Sequence, residues 1–376
     1  MELSKRAIQL RPSPLQEMVT KAKSLKDVIS LEVGEPGFPS PASANDAARL
    51  AINANFTKYT SASGIADLRE AAAYDFRKSG IPADTNNTII GPGAKPLIAA
   101  TLWAICDPCD EILIPGPYYP PFWDLVQDFG ATPVLVDTRQ DGFVLRGERL
   151  KKAINKKTKA VILNSPNNPT GILWDWRELD GVCDNLLLIS DESYYKILFG
   201  KPYISIASLP GRAERTITIR SCSKSFAMTG WRIGYLTGPE YIVKKIQPYL
   251  EMAVGCPCSV SQKAALKALV VSSDYAEDTI LSVLDVRRKY LMTWLKAENI
   301  PFAEPSGAFY VFPDFSQYKK SSLALANFLL ENAKVAVTPG IAFGPYDDFL
   351  RISYASLPIE NLPEALERIG SALDSL

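Results

Sequence analysis

Between Thr88 and Gly238 the chain alternates short apolar runs with helix-length segments of mixed polar and apolar residues. The runs are Thr88 to Ile90, Glu111 to Ile114, Pro133 to Val136, Ala160 to Leu163, Leu186 to Ile189, Thr216 to Ile219 and Arg232 to Leu236. Runs this short and this apolar fit strands buried on both faces, so the pattern predicts an α/β unit built on a mostly parallel, seven-stranded sheet. Helices are expected at Tyr241 to Met252, at Ser259 to Val271 and from Tyr275 to about Ala297. From about Asn299 onward a smaller α/β unit is expected, with strands near Ala308 to Phe312 and Phe349 to Tyr354 and a closing helix from Glu360 to Leu373. The expected division is an N-terminal segment (1–47), a large domain (48–280) and a small C-terminal domain (281–376).

Composition narrows the chemistry. Lys plus Arg and Asp plus Glu are 41 each, so no bulk positive field draws in nucleic acid or an anionic membrane. Histidine is absent, which removes Ser-His-Asp and Cys-His mechanisms, histidine-ligated metals and histidine bases. The first residues form no apolar leader, and no run approaches the ~18 apolar residues that span a bilayer, so a cytoplasmic enzyme is expected. The pairs Cys106/Cys109 and Cys256/Cys258 invite a zinc reading, but their spacing is poor for it; reduced thiols and no metal are expected.

In parallel sheets ligands gather outside the carboxyl ends of the strands. The residues just past the runs are therefore the ones to inspect: Gly91-Pro92-Gly93-Ala94-Lys95, Pro115-Gly116-Pro117-Tyr118-Tyr119, Asn164 to Gly171, Asp191-Glu192-Ser193-Tyr194 and Ser221 to Lys224. The last continues to Tyr235 as S-C-S-K-S-F-A-M-T-G-W-R-I-G-Y. A lysine with a reference pKa of about 10.4 is a poor nucleophile at neutral pH unless that value is depressed or an imine is preformed. Ser221 and Ser223 can donate to phosphate oxygens, and Arg232 adds a planar, permanently charged fork. Together they suit an aldehyde cofactor that carries a phosphate.

S-x-S-K followed by M-T-G-W-R-I-G-Y resembles the cofactor-lysine signature of class I/II aminotransferases, the fold-type-I pyridoxal phosphate enzymes similar to aspartate aminotransferase. The likeness runs in the family's order from Val33-Gly34-Glu35-Pro36 to Arg351-Ile352-Ser353-Tyr354-Ala355, nearly the whole chain. It implies a Lys224 aldimine of pyridoxal 5'-phosphate, with Asp191 on the pyridine nitrogen and Tyr194 and Asn168 on the ring 3-oxygen. It further implies that Gly93, Ala94 and Lys95 form the phosphate turn and that Tyr119 stacks on the ring. Arg351 and Gly34 would receive the substrate α-carboxylate. Tyr59 would reach the phosphate of a neighbouring subunit, which implies a homodimer with shared sites. The N-terminal segment is expected to pack on the small domain.

Taken singly, several of these residues have plainer readings. Asp191 could cap a helix, N-P-T-G is a turn, and Tyr119 could simply pack beside prolines. The implied reaction moves an amino group between an L-amino acid and a 2-oxo acid. A lyase or cyclase resembling 1-aminocyclopropane-1-carboxylate synthase would share the same cofactor residues, and its P-Y-Y-P segment is similar. A transcription regulator on this fold would need a DNA-binding domain ahead of the glycine-glutamate-proline motif. Three departures bear on specificity: Pro96 to Asp107 holds no Lys or Arg for a second substrate carboxylate, Ile172 to Asn185 is short for a crossover helix, and Cys256-Pro257-Cys258 stands where relatives carry hydroxyl or amide residues.

Overall fold

A computed structural model describes Leu3, residues 13–356 and residues 361–376. Strand β1 is Ile29–Ser30; then follow β2 (Thr88–Gly91), β3 (Glu111–Gly116), β4 (Thr132–Asp137), β5 (Thr158–Asn164), β6 (Leu187–Asp191), β7 (Thr216–Ser221) and β8 (Gly234–Thr237). Strands β2 to β8 form one seven-stranded sheet in the order β2-β8-β7-β6-β5-β3-β4. Only β8 runs against its neighbours. Each of the seven expected strands is present in this sheet, which is mostly parallel as expected.

Alternate residues along the strands feed opposite faces, as the two-residue period requires. Ile112, Ile114, Ile162, Ile189 and Ile219 pack with Leu97, Ile98, Ile242, Ile246 and Leu250 on one side. Leu113, Val161, Leu163 and Leu188 pack on the other with Trp174, Trp176 and Leu179. On the first face the cover comes from helices Ala94–Ile105 and Glu240–Val254, the second close to its expected place. Ser259–Val271 is also helical as expected, whereas the expected helix from Tyr275 begins with a π-helical turn, Ala276–Ile280, and continues as Leu281–Ala297. Between β5 and β6 the connection holds only a short 3-10 turn, Trp176–Leu179, so two tryptophans cover the sheet where a helix would otherwise lie.

The C-terminal part carries β9 (Tyr310–Val311), β10 (Val335–Ala336), β11 (Thr338–Pro339) and β12 (Leu350–Ser353). Strands β11, β12 and β9 form an antiparallel sheet, and β1 pairs in parallel with β10. The strand at 308–312 is shorter than expected, two residues only. The closing helix is Asn361–Leu373; the expected start at Glu360 lies outside the described residues. Met18, Ala22 and Leu31 share a core with Leu284, Leu291, Val335 and Leu366. No helix among the described residues is long and apolar enough to cross a membrane.

One expectation is corrected. Arg232 and Ile233 precede strand β8 rather than opening it, and Arg232 adopts the left-handed region with φ 56°. A non-glycine residue held there carries strain of roughly 1–3 kcal/mol that its surroundings must hold in place. The turn aims the guanidinium across the sheet, where Arg232 donates to the carbonyls of Thr229 (2.8 Å) and Pro92 (3.4 Å).

Candidate active site

Strand register brings the candidate residues together. Asn164 ending β5 is opposite Asp191 ending β6, Asp191 is opposite Ile219 of β7, and Ser221 ending β7 is opposite Gly234 of β8, which is itself opposite Gly91. The carboxyl ends of β5, β6 and β7 and the turn after β2 thus border one cavity of about 510 Å³. Twelve of the fourteen residues singled out in the sequence line it: Gly34, Ala94, Lys95, Tyr119, Asn168, Asp191, Tyr194, Ser221, Ser223, Lys224, Arg232 and Arg351. The other two, Gly93 and Tyr59, are not among the lining residues, and Tyr59 is 94% exposed.

Glycine is required at the turn after β2. Gly93 has φ 102°, and a Cβ there would meet Arg232 Nη2 at 2.7 Å. Gly234 lies beneath the same turn; a Cβ on it would meet Gly93 C at 2.7 Å and Ala94 N at 2.8 Å. The backbone N–H groups that open helix Ala94–Ile105 thereby sit beside Arg232. Ser221 caps the short helix Cys222–Ser225, its Oγ accepting from Ser223 N (3.1 Å) and donating to Ser223 Oγ (2.9 Å). This arrangement of amide hydrogens, hydroxyls and one guanidinium is an anion cradle.

Lys224 stands between this cradle and Arg351. Its Nζ donates to the carbonyl of Gly34 at 2.5 Å. Burial lowers the lysine from 10.5 to about 8 against the opposing pull of Glu35, with Arg351 and Arg232 lowering it further. Asp191 accepts from Ser193 N (3.0 Å) and Ser193 Oγ (2.7 Å), yet burial pushes its carboxyl up from 3.8 to about 6. Among the described residues it has no ion-pair partner within 4.0 Å.

Arg351 is 2% exposed and donates to Asn168 Oδ1 (3.0 Å), Thr338 Oγ1 (3.3 Å) and the carbonyl of Glu32. Its guanidinium lies 4.6 Å from the Tyr310 ring centroid and 5.1 Å from that of Phe343, which fixes its plane. Arg351 Nε is buried with no hydrogen-bond partner among the described residues. Tyr194 and Tyr310 share a hydroxyl hydrogen bond of 2.9 Å, and burial holds the Tyr194 phenol well above its ordinary range.

Sequence reasoning missed part of the lining. Ser193 had a local signal, the Asp-x-Ser spacing by which a hydroxyl two residues on caps a carboxylate. Tyr310, within the strand expected near Ala308 to Phe312, and Glu32, just ahead of Val33-Gly34-Glu35-Pro36, were given no role. Leu15, Val19 and Lys23, from helix Pro14–Ser24, carry no such signal because they reach the cavity across some 200 residues of sequence from Lys224. Pro96 to Asp107 brings no cation to the cavity, whereas Lys23 and Lys95 line it.

Comparisons with known proteins agree with this geometry. The family described as aminotransferase class I and II matches residues 26–369. The chain is 37% identical to a probable aspartate/prephenate aminotransferase of Aquifex aeolicus, covering 100% of this chain and 99% of that protein. It is 36% identical to aromatic-amino-acid aminotransferase 2 of Thermococcus litoralis, covering 99% and 98%. The solved structure of Thermus thermophilus aspartate aminotransferase with maleate superposes with a TM-score of 0.94 at 35% identity, over 99% of this chain and 100% of that one. Full-length matches of this identity, on a sheet that gathers the lysine, aspartate and arginines into one cavity, establish that this chain is an enzyme of the class I and II aminotransferase family.

Proposed function

We propose that this aminotransferase uses pyridoxal 5'-phosphate, held at Lys224, to move an amino group between an L-amino acid and a 2-oxo acid. The observation that carries the reading is the half-buried, depressed amine of Lys224 between an anion cradle on one side and Arg351 on the other. The residues fit the cofactor. A phosphate would meet the amides after Gly93, the hydroxyls of Ser221 and Ser223, and Arg232. Asp191, buried without a cation, would gain one in the ring nitrogen, and Tyr194 and Asn168 would donate to the ring 3-oxygen. Lys95 would stand by the phosphate turn and Tyr119 against the ring. When bound, the cofactor supplies an electron sink for the charge left when the substrate α-proton departs.

The protein's own groups would do the rest. Arg351, with its unpartnered Nε, would hold the substrate α-carboxylate, and the backbone at Gly34 would approach the same group. Lys224 Nζ, near 8, would take the α-proton and return it as general base and then acid. Arg351 would fix which bond to the α-carbon is aligned for cleavage.

The same reading makes the protein a cytoplasmic homodimer in which Tyr59 completes the partner's site; its 94% exposure and its place outside the lining of its own cavity support this. It also divides the chain into the N-terminal segment 1–47, the large domain 48–280 and the small domain 281–376. The test is an absorption spectrum of the purified holoenzyme during addition of single amino acids, then of 2-oxoglutarate. Loss of absorbance at about 400 nm, gain at about 330 nm and recovery on adding the acceptor are expected. Turnover that never needs an acceptor would instead support a lyase or cyclase.

A further inference from the structure

Three carboxylates line the cavity, and one of them, Glu32, keeps an oxygen without a donor among the described residues. Asp191 accepts from Ser193, and Glu35 accepts from Thr229 Oγ1. Glu32 is 1% exposed, and its Oε2 has no hydrogen-bond partner among the described residues. Arg351 does not fill the gap: it donates to the Glu32 carbonyl, and no ion pair within 4.0 Å joins the two side chains. The backbone N–H of Glu32 and the hydroxyl of Ser30 hydrogen-bond to the carboxylate, and the charges of Arg351 and of Lys23 at the exposed rim act on it at a distance, but none of them gives Oε2 a donor. A buried carboxylate oxygen with no donor costs roughly 1–3 kcal/mol or more, and a protein that retains one inside a ligand cavity gains when the ligand brings the donor.

We propose that Glu32 is a specificity residue that receives an ammonium, or an equivalent N–H cation, on the side chain of the amino donor, so that the preferred donors are basic amino acids rather than dicarboxylates. The proposal rests on the aminotransferase reading above. Burial raises Glu32 above the usual carboxylate range, and a cation brought beside it would stabilise the charged form. The two spare cations of the cavity do not argue for a second substrate carboxylate. Lys95 lies 5.8 Å from the Tyr119 ring centroid and acts at a distance on Asp124, and Lys23 acts likewise on Glu32 from the exposed rim.

The test measures kcat/KM of the holoenzyme for 2,4-diaminobutyrate, ornithine and lysine beside norvaline, norleucine and aspartate, in the wild type and in Glu32→Gln. At least one diamino acid should exceed its uncharged counterpart by about 30-fold or more, the low end of what one buried charge partner is worth, and in Glu32→Gln that ratio should fall to near one. A second readout is independent of turnover: 6-aminohexanoate should raise the wild-type Tm more than hexanoate does, and the variant should not distinguish them. A wild type that prefers aspartate or uncharged donors overturns the proposal, as does a variant that lowers every substrate by the same factor, the mark of a structural role. If no amino acid alters the cofactor spectrum, the aminotransferase reading fails, and the comparison of the two hexanoates still decides whether Glu32 selects a cation.

Discussion

At the scale of single residues, burial moves the titrations of Lys224 and Asp191 toward neutral pH from opposite sides, so each charge is costly to hold. Lys224 falls from 10.5 to about 8, chiefly by burial. Between those values the unfolded chain binds more protons than the folded one, so stability of the cofactor-free protein rises with pH across that window, and below about 8 the burial cost is fully present. Calorimetry of the cofactor-free wild type and Lys224→Met should show a wild-type Tm that climbs relative to the variant from about pH 8 to 10; parallel profiles would mean that the amine is not depressed. Asp191 shifts the other way, from 3.8 to about 6, again by burial. Its folded state loses stability as pH rises through that interval, so at pH 7 the cofactor-free Asp191→Asn variant should be more stable than wild type. The same change should lower kcat of the loaded enzyme by at least about 100-fold, because the carboxylate charge that supports proton transfer is gone. A variant that is less stable and equally active would show that Asp191 serves the fold and not the reaction.

At the scale of elements, the departure from the expected pattern between β5 and β6 has a physical consequence. With only a 3-10 turn in the crossover, Trp174 and Trp176 cover Val161, Leu163 and Leu188. Both indoles are nearly buried, and their Nε1 groups donate to the carbonyls of Phe143 (3.1 Å) and Ile204 (2.8 Å). Trp176→Ala should therefore cost about 3–5 kcal/mol in urea unfolding, as emptying a buried tryptophan site does, and a loss below about 1 kcal/mol would show that the crossover collapses to refill it. The seven strands were legible because residues buried on both faces leave continuous apolar runs. The cofactor side of the cavity was legible too, since Gly93, Asp191 and Lys224 lie three, two and five residues past the ends of such runs. Arg232 was misplaced because Trp-Arg-Ile-Gly-Tyr has the composition of a strand, and only the left-handed turn before Gly234 says otherwise. Lys23 and Glu32 were not legible: their place depends on how helix Pro14–Ser24 and β1 pack near Arg351, which no local pattern encodes.

At the scale of the whole molecule, the question is whether one chain suffices. Tyr59 is exposed at its ring, yet the residues after it are pinned: Thr60 N donates to Cys256 Sγ (3.4 Å), and Gln262 Nε2 donates to Thr60 Oγ1 (2.8 Å). An aromatic ring presented on an anchored loop is expensive to leave in water and well placed to enter another subunit's site. In the proposed symmetric dimer the tyrosine of each copy would reach the lysine of the other, so the two residues would belong to one site but to different chains. Variants Lys224→Ala and Tyr59→Glu should each be impaired alone, the second through loss of phosphate affinity from added negative charge. Unfolded together and refolded, they should form a mixed dimer in which one site has both native residues and the other has neither. Random pairing makes half the dimers mixed, with one competent site of two, so activity should recover to about a quarter of the wild-type level. If mixing restores nothing while light scattering shows dimers, Tyr59 acts within its own chain or not at all; if the protein is monomeric and active, the shared site is wrong.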